Sequence, residues 1–408
     1  MTTVNKAARA VWLRLKRMDW TPLLLCWAAA VFYCFFCMRL RRNPVGSSGY
    51  CTYTLQALAW RDGRISLGQD YSWLELAVYN GDWYVSFPPV PSVPLFFLTF
   101  LFDSNTPDNL LVKAYVLIGC LAVWRMLRRA GVDNGSAVAY SLLCSFAGCL
   151  LSLTIEGAVW YQAQTLAFCF ACVSVAAMWR GRTTLSLVCY ALSVGCRPFD
   201  VVFGLPLLAV YITKCKSESI PVKKMVYKAI PGVVLGLLIA ACYAWYNYIR
   251  FANPFEFGHN YLPEFSWQGG IQFSLSHVWQ NIRSFVLRLP FHQGDNGWEL
   301  EKFGFCFLIA NPVFILVLCW IIADIFRRRM TWQKAVVIAC FFVHLFLLLL
   351  HRTFGGFQFG ARYTCDLLPY AALYLSFSAH KKRISKPEII VFIAAVAFAV
   401  YGAAEIML

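Results

Sequence analysis

Long apolar stretches separated by short polar segments dominate the sequence. About eleven of them approach the length of roughly 20 residues that a helix needs to cross a bilayer. The predicted spans cover residues 21–38, 109–127, 135–153, 163–179, 184–196, 199–213, 229–249, 303–326, 333–350, 364–379 and 388–406. The pattern therefore predicts an all-α polytopic membrane protein with a single transmembrane domain over 1–408.

One shorter apolar run, residues 92–102, is too short to cross a bilayer, and prolines surround its start. Runs of this length are typical of helices that lie in the membrane surface. We therefore expect the whole of 39–108 to form one large outer loop that carries juxtamembrane helices. Two further outer loops are predicted, at 250–302 and at 351–363.

The distribution of charge supports one orientation. The chain is 60% hydrophobic and 14% charged, and its 36 Lys and Arg outnumber its 20 Asp and Glu. If the first span runs outward, most of the basic residues fall in the inner segments, as the positive-inside rule expects. Residues 1–20 are then cytoplasmic, and the protein is predicted to lie in the plasma (inner) membrane. Because the bases cluster at inner loop ends, we expect no nucleic-acid partner.

The first outer loop contains the pair Asn80-Gly81, which is a turn signal. Residues 70–79 and 83–87 flank this pair. We therefore expect the two flanking segments to fold back on one another as a hairpin.

Acids and aromatic residues alternate in this hairpin. Asp70 and Glu75 are candidate general bases towards an acceptor hydroxyl. Tyr71, Trp73 and Tyr84 are candidate sugar contacts, since aromatic faces stack on apolar ring surfaces while their polar tips stay hydrated. The alternative is an interfacial aromatic belt with solvated acids.

Isolated basic residues at the outer ends of spans form a second group, although the positive-inside rule disfavours them there. The candidates for binding a phosphate are Arg197, His259, His351, Arg352 and Arg362. Arginine is suited to bidentate recognition of phosphate, and the alternative is snorkelling to lipid headgroups. Asp366 lies four residues after Arg362 and is expected to pair with it.

Two further outer segments are candidates for sugar or headgroup contact. Residues 246–261 are rich in aromatic and amide side chains, with Tyr248 as the named candidate. Glu156, in the short loop between the third and fourth spans, faces the same compartment. The alternative for 246–261 is a packed cap over the helices.

Motifs for bound cofactors are absent from the sequence: it has no Walker phosphate loop and no dinucleotide-binding GxGxxG. It also has no Asp-x-Asp metal motif. Glu299-Leu300-Glu301 comes nearest and is expected to begin a helix. The sequence therefore predicts neither a cofactor nor a metal.

Several short motifs resemble a known family. They are Gln56-Ala57-Leu58-Ala59 with Asp62-Gly63-Arg64-Ile65, the stretch from Glu75 to Pro91, Gly195-Cys196-Arg197-Pro198, the 246–261 segment, and Gly360-Ala361-Arg362-Tyr363 with Pro369. Together they are similar to the multi-spanning GT-C glycosyltransferases, which include protein O-mannosyltransferases and lipid A aminoarabinose transferases.

This resemblance implies transfer of a sugar from a polyprenyl-phosphate donor to a glycan, lipid or protein acceptor outside the cytoplasm. It also implies a carboxylate in the first outer loop and cations around the donor phosphate. The family places its acid soon after the first span, whereas residues 39–60 contain none. That role would pass to Asp70 or Glu75.

The sequence therefore leads to the hypothesis of an integral-membrane glycosyltransferase. Two alternatives stay open: a non-enzymatic protein such as a lipid-linked-glycan flippase or carrier, and a catalytically degenerate relative. A carrier usually places charged groups near the bilayer midplane, whereas this chain concentrates its polar residues in the outer loops.

Overall fold

A computed structural model describes residues 19–268, 271–295, 297–378 and 383–408. The segment 1–18, most of the predicted cytoplasmic N-terminus, lies outside the described residues. The chain divides into two units, one ending at Arg42 and the other covering 43–408. In the first unit, helix α1 is Thr21–Arg39. The second unit contains all the candidate site residues.

Helices make up most of the second unit. In chain order they are α2 Thr52–Arg61, α3 Ser92–Phe102, α4 Asp108–Arg129, α5 Asn134–Ser145, α6 Cys149–Ser152, α7 Val159–Trp179, α8 Thr183–Val194, α9 Gly204–Ser217, α10 Val222–Phe251, α11 Ser276–Ile282, α12 Phe307–Ala310, α13 Val313–Phe326, α14 Trp332–Leu349, α15 Leu368–Ser376 and α16 Lys386–Met407. Short 3₁₀ helices occupy Pro198–Phe203, His259–Tyr261, Pro263–Gln268 and Arg362–Leu367, and Arg283–Leu287 forms a π-helical turn.

The prediction of an all-α polytopic membrane protein is confirmed. Within the described residues, seven helices are long and apolar enough to cross a bilayer. They are α1, α4, α7, the run Pro198–Ser217 that ends in α9, α10, α14 and α16. The number of crossings stays a prediction.

Four predicted spans are not single α-helices, and one of them, residues 199–213, begins as the 3₁₀ helix Pro198–Phe203 before α9. Residues 135–153 are divided between α5 and α6, and residues 303–326 are divided by Asn311-Pro312 between α12 and α13. Proline lacks the N–H that a helix interior requires, which explains the break at Asn311-Pro312. Residues 364–379 begin as a 3₁₀ helix before α15, and this local change affects the candidate site.

The first outer loop contains the predicted hairpin. Strands β1 Leu76–Tyr79 and β2 Asp82–Val85 pair in antiparallel register, with Leu76 opposite Val85. Asn80 and Gly81 both have positive φ, as a two-residue turn between twisted strands requires. Residues 92–102 form α3 as expected. The side chains of Phe97, Phe100 and Leu101 on this helix are more than 60% exposed, which suits contact with lipid.

A second hairpin corrects one expectation. Strands β3 Phe291–Gly294 and β4 Gly297–Leu300 pair in antiparallel register. Glu299 and Leu300 therefore end a strand instead of beginning a helix. Trp298 and Glu299 are exposed on this strand, and Leu300 is buried.

Helix α7 lies at the centre of the second unit. Its most apolar window is 78% buried, compared with 6% for α10, which leaves α10 at the periphery. Helix α7 packs against α4 and α8. Its first turn, at Val159 and Trp160, packs against the apolar side of the first hairpin, around Leu76 and Val85. This contact brings the first outer loop to the end of the helical core where the candidate site lies.

Candidate functional site

Glu75 lies directly before β1, where the backbone of the hairpin holds it in place. The hydroxyl of Ser86, directly after β2, donates a hydrogen bond to the Glu75 carbonyl oxygen at 3.1 Å. The carboxylate is half-buried, and its Oε2 accepts a hydrogen bond from the indole Nε1 of Trp160 at 2.8 Å. Trp160 belongs to the first turn of α7, so a helix of the core fixes this carboxylate.

The surroundings of Glu75 change its proton affinity. Burial raises the pKa of the Glu75 carboxyl above its ordinary value, while the Trp160 hydrogen bond and the charge of Arg362 oppose that rise. Glu264 adds a smaller rise, as a nearby like charge does. A carboxylate with a raised pKa is a better proton acceptor than one in water, as general base catalysis requires.

Arg362 lies on the other side of Trp160. It begins the 3₁₀ helix Arg362–Leu367 and is only 6% exposed. Its guanidinium carbon lies 5.8 Å from the ring centroids of Trp160 and Tyr161 and 5.3 Å from that of Tyr363. The positive φ of Gly355 lets the backbone approach, since a Cβ there would lie 2.6 Å from the Arg362 Nε. Trp160 therefore contacts both a candidate base and a candidate phosphate ligand.

Arg352 is a second buried cation. It is 8% exposed, its guanidinium carbon lies 4.0 Å from the Phe265 ring centroid, and its Nη2 donates to the His259 carbonyl oxygen at 3.4 Å. Burial lowers the pKa of Arg352, and Glu264 opposes that change. The effect of burial indicates a poorly hydrated charge, and the opposing effect shows that Glu264 lies near enough to act on it.

Arg352 and Arg362 both have nitrogen atoms that lack a hydrogen-bond partner. Among the described side chains, Nε and Nη1 of Arg352 and Nε of Arg362 are buried without a hydrogen-bond partner. In the same part of the chain, neither guanidinium forms an ion pair with a carboxylate. Leaving buried N–H groups of a charged side chain without hydrogen-bond partners is costly. This arrangement fits an anion as the missing partner.

Arg197 has a carboxylate partner, and this corrects one expectation. Its Nε donates to Asp366 Oδ2 at 2.8 Å, so Asp366 pairs with Arg197 and not with Arg362. Residues 362–367 form a 3₁₀ helix, in which positions i and i+3 align, so the i,i+4 pairing of an α-helix is lost. The charge of Asp366 keeps the pKa of Arg197 raised although burial opposes it. Its guanidinium carbon lies 4.8 Å from the Tyr363 ring centroid.

A cavity of about 220 Å³ adjoins these residues. Its polar lining includes Arg197, His259, Asn260, Gln272 and His351, and its apolar lining is largely phenylalanine. Tyr363 also lines the cavity and contacts both Arg197 and Arg362. The cavity therefore lies beside the group formed by Glu75, Trp160 and Arg362.

The two histidines of the cavity are close neighbours, with ring centroids 5.1 Å apart. Burial lowers the pKa of His259 to about 3 and that of His351 to about 4. Repulsion by Arg197 and Arg352 adds to both shifts. His351 also interacts with Gln272 at 3.1 Å and with the Thr353 carbonyl oxygen. Both rings are therefore neutral at physiological pH and can donate or accept a hydrogen bond.

Other candidates lie away from this group. Asp70 is exposed, and no contact among the described residues joins it to the arginines. Tyr71 and Trp73 contact each other at 5.6 Å between ring centroids, and Trp73 is 62% exposed. Tyr84 packs on Phe251, and Tyr248 is 58% exposed on α10.

Glu156 occupies an intermediate position. Its carboxylate accepts a hydrogen bond from the Ser48 hydroxyl at 3.0 Å, and the Ser48 backbone N–H donates to Asp108 at 2.8 Å. Its charge acts on Tyr161, which also contacts Arg362. Glu156 thus lies one aromatic ring away from the buried arginine.

Sequence reasoning missed Trp160, Tyr161 and Tyr363 as members of the site. Trp160 and Tyr161 are an aromatic pair at the end of a predicted span, the pattern of an interfacial belt. Only the position of Glu75 in space distinguishes Trp160 from an ordinary belt residue. Within the described residues, no three His, Cys, Asp or Glu side chains come together as metal ligands would.

The fold has counterparts of known structure. The oligosaccharyltransferase of Archaeoglobus fulgidus, in its apo form, superposes with a TM-score of 0.54 at 13% identity, over 95% of this chain and 56% of that chain. The same enzyme tethered through a disulfide to an acceptor peptide containing the NVT sequon gives a TM-score of 0.52 at 14% identity, over 95% and 55%. No family model and no curated protein matches the sequence.

At such low identity the similarity shows the fold alone. This chain spans about half the length of the structures that it matches.

Proposed function

We propose that this protein is an integral-membrane glycosyltransferase that moves a sugar from a polyprenyl-phosphate donor to an acceptor hydroxyl. The observation that carries the proposal is the group formed by Glu75, Trp160 and Arg362. It sets a partly buried carboxylate near a buried guanidinium whose Nε has no hydrogen-bond partner among the described residues. The shared fold with an oligosaccharyltransferase supports the reaction class.

In the proposed reaction, Glu75 accepts the proton of the acceptor hydroxyl. The hydroxyl oxygen attacks the anomeric carbon and forms the new glycosidic bond. The bond from that carbon to the phosphate oxygen breaks, and its electron pair stays on the lipid phosphate. Because attack and departure occur on opposite faces, the anomeric configuration inverts.

Arg362 and Arg352 stabilise the leaving phosphate. Its negative charge grows as the glycosidic bond breaks, and cations fixed in a poorly hydrated site favour that change. Arg197 is partly neutralised by Asp366 and contributes less charge. His259 and His351 are neutral and line the adjoining cavity. His259 Nε2 has no hydrogen-bond partner among the described residues and offers a hydrogen bond to the sugar.

The proposal is tested with the purified full chain in detergent, a polyprenyl-phosphate sugar and a mixture of envelope acceptors. We expect release of polyprenyl phosphate together with a glycosylated product. Arg362→Gln should weaken donor use by about 10²-fold, because a charged hydrogen bond to the phosphate is lost. Arg283→Gln, on the π-helical turn, is the matched control and should leave the rate unchanged.

Two results would contradict the proposal. Full transfer by Arg362→Gln would remove the phosphate role of the buried arginine. Donor binding without release of polyprenyl phosphate from the donor, whichever acceptor is supplied, would instead favour a flippase or a degenerate relative.

A further inference from the structure

Four arginines at the ends of three helices surround one cavity of about 260 Å³. Arg125 and Arg129 come from the last two turns of α4, Arg180 follows α7, and Arg182 precedes α8. Apolar side chains of the same helices, including Leu121 and Val173, form the rest of the wall. The cavity is therefore basic at the helix ends and apolar towards the middle of the helices.

This cavity lies at the opposite end of the helices from Glu75 and Arg362. The first turn of α7 holds Trp160 beside Glu75, whereas its last residue, Trp179, accepts a hydrogen bond from Arg129 at its carbonyl oxygen. A helix of 21 residues is about 30 Å long. The cavity is thus separate from the candidate active site.

The four charges have no counter-ion within the described residues, where none of them forms an ion pair. Partial desolvation and the charges of Arg125, Arg129 and Arg182 lower the pKa of Arg180, although its side chain is exposed. Lys228 adds a fifth cation, since a Cβ on Gly181 would lie 3.5 Å from its Nζ. Like charges gathered without acids repel one another, and an anion between them would remove that cost.

We propose that this cavity binds the headgroup of an anionic phospholipid, with the phosphate between the arginines and an acyl chain against the apolar wall. Arginine clusters recognise phosphate through bidentate hydrogen bonds. Basic pockets between membrane helices are suited to lipids that carry one or two phosphates. A soluble phosphate would leave the apolar wall of the cavity in contact with water, so a lipid is the better occupant.

The proposal is tested by titrating the purified full chain with cardiolipin, phosphatidylglycerol or phosphatidylcholine, and counting bound lipid by native mass spectrometry. The variant Arg125→Gln with Arg180→Gln removes two charges from the cavity. Arg327→Gln with Arg329→Gln removes two exposed charges from the loop after α13. Contacts of Trp179 with Phe377 and of Tyr374 with Asp324 place that loop at the same end of the helices.

We expect wild type to bind cardiolipin and phosphatidylglycerol more tightly than phosphatidylcholine. The cavity variant should bind cardiolipin about 30-fold more weakly, at about fivefold for each arginine, and the loop variant should match wild type. Equal wild-type affinity for all three lipids would overturn the proposal, whether or not the variants fold. So would equal losses in the two variants. Displacement of cardiolipin by glycerol phosphate at similar concentration would show a site for free phosphate and contradict the lipid assignment.

Discussion

Trp160 joins the two charges on which the proposed reaction depends. Its indole N–H donates to Glu75, while its ring faces Arg362. The hydrogen bond favours the ionised carboxylate and so limits the rise in the pKa of Glu75 that burial causes. Trp160 therefore acts as a positioning residue that also sets the proton affinity of the base.

Trp160→Phe should move the pH profile of transfer. Loss of the indole hydrogen bond raises the pKa of Glu75 further, and the base must be ionised to act. The acidic limb of kcat/KM should therefore shift to higher pH by about one unit. At pH values well above that limb, kcat/KM should change much less.

Trp60→Phe is the matched control, because the Trp60 indole donates to the Tyr246 hydroxyl at 3.0 Å and touches no carboxylate in the described structure. It should leave the acidic limb in place. An unmoved limb in Trp160→Phe would mean that Glu75 is not the titrating base.

The first hairpin is the element that delivers Glu75 to α7. Its turn depends on Gly81, which has a φ of +82°. Residues with a Cβ rarely adopt this backbone conformation. The register that the turn fixes places Leu76 and Val85 against the start of α7. A substitution in the turn should therefore alter the position of Glu75 at the site.

Gly81→Ala should destabilise the protein by about 1 kcal/mol through backbone strain alone, because a Cβ there would meet no atom within 4 Å. Thermal unfolding in detergent would measure the loss. Gly49→Ala is the control, since Gly49 also has open space but no positive φ. Equal midpoints for the two variants would contradict the role assigned to the turn.

The elements that sequence predicted well are those with local causes. Asn80-Gly81 fixes a hairpin through its own backbone preferences, and the apolar run 92–102 forms the short helix that its length predicts. The prediction that Asp366 pairs with Arg362 was wrong, because the 3₁₀ geometry of 362–367 depends on packing around Gly355 and Tyr363. Glu75 could be named from sequence but not separated from Asp70, because only the distant contact with Trp160 distinguishes them.

For the molecule as a whole, the orientation in the membrane stays a prediction from charge. Cysteines introduced at exposed positions of the second unit test it. Ser104→Cys, after α3, should react with a membrane-impermeant thiol reagent added to intact cells. Ser217→Cys, at the end of α9, should react only after the cells are opened.

The labelling of each variant is measured as the increase over the labelling of the parent protein, whose own cysteines provide the background. Labelling of Ser217→Cys but not Ser104→Cys in intact cells would reverse the orientation. The carboxylate and the buried arginines would then face the cytoplasm.

The proposed reaction requires the Glu75 carboxylate to act together with Arg362 and Arg352. The most direct test measures sugar transfer by folded Glu75→Gln and Asp70→Asn, together with donor binding by each. We predict that Glu75→Gln lowers kcat by about 10²- to 10⁴-fold while donor binding is retained, and that Asp70→Asn stays close to wild type. Full transfer by Glu75→Gln, or loss of transfer in Asp70→Asn alone, would contradict the account.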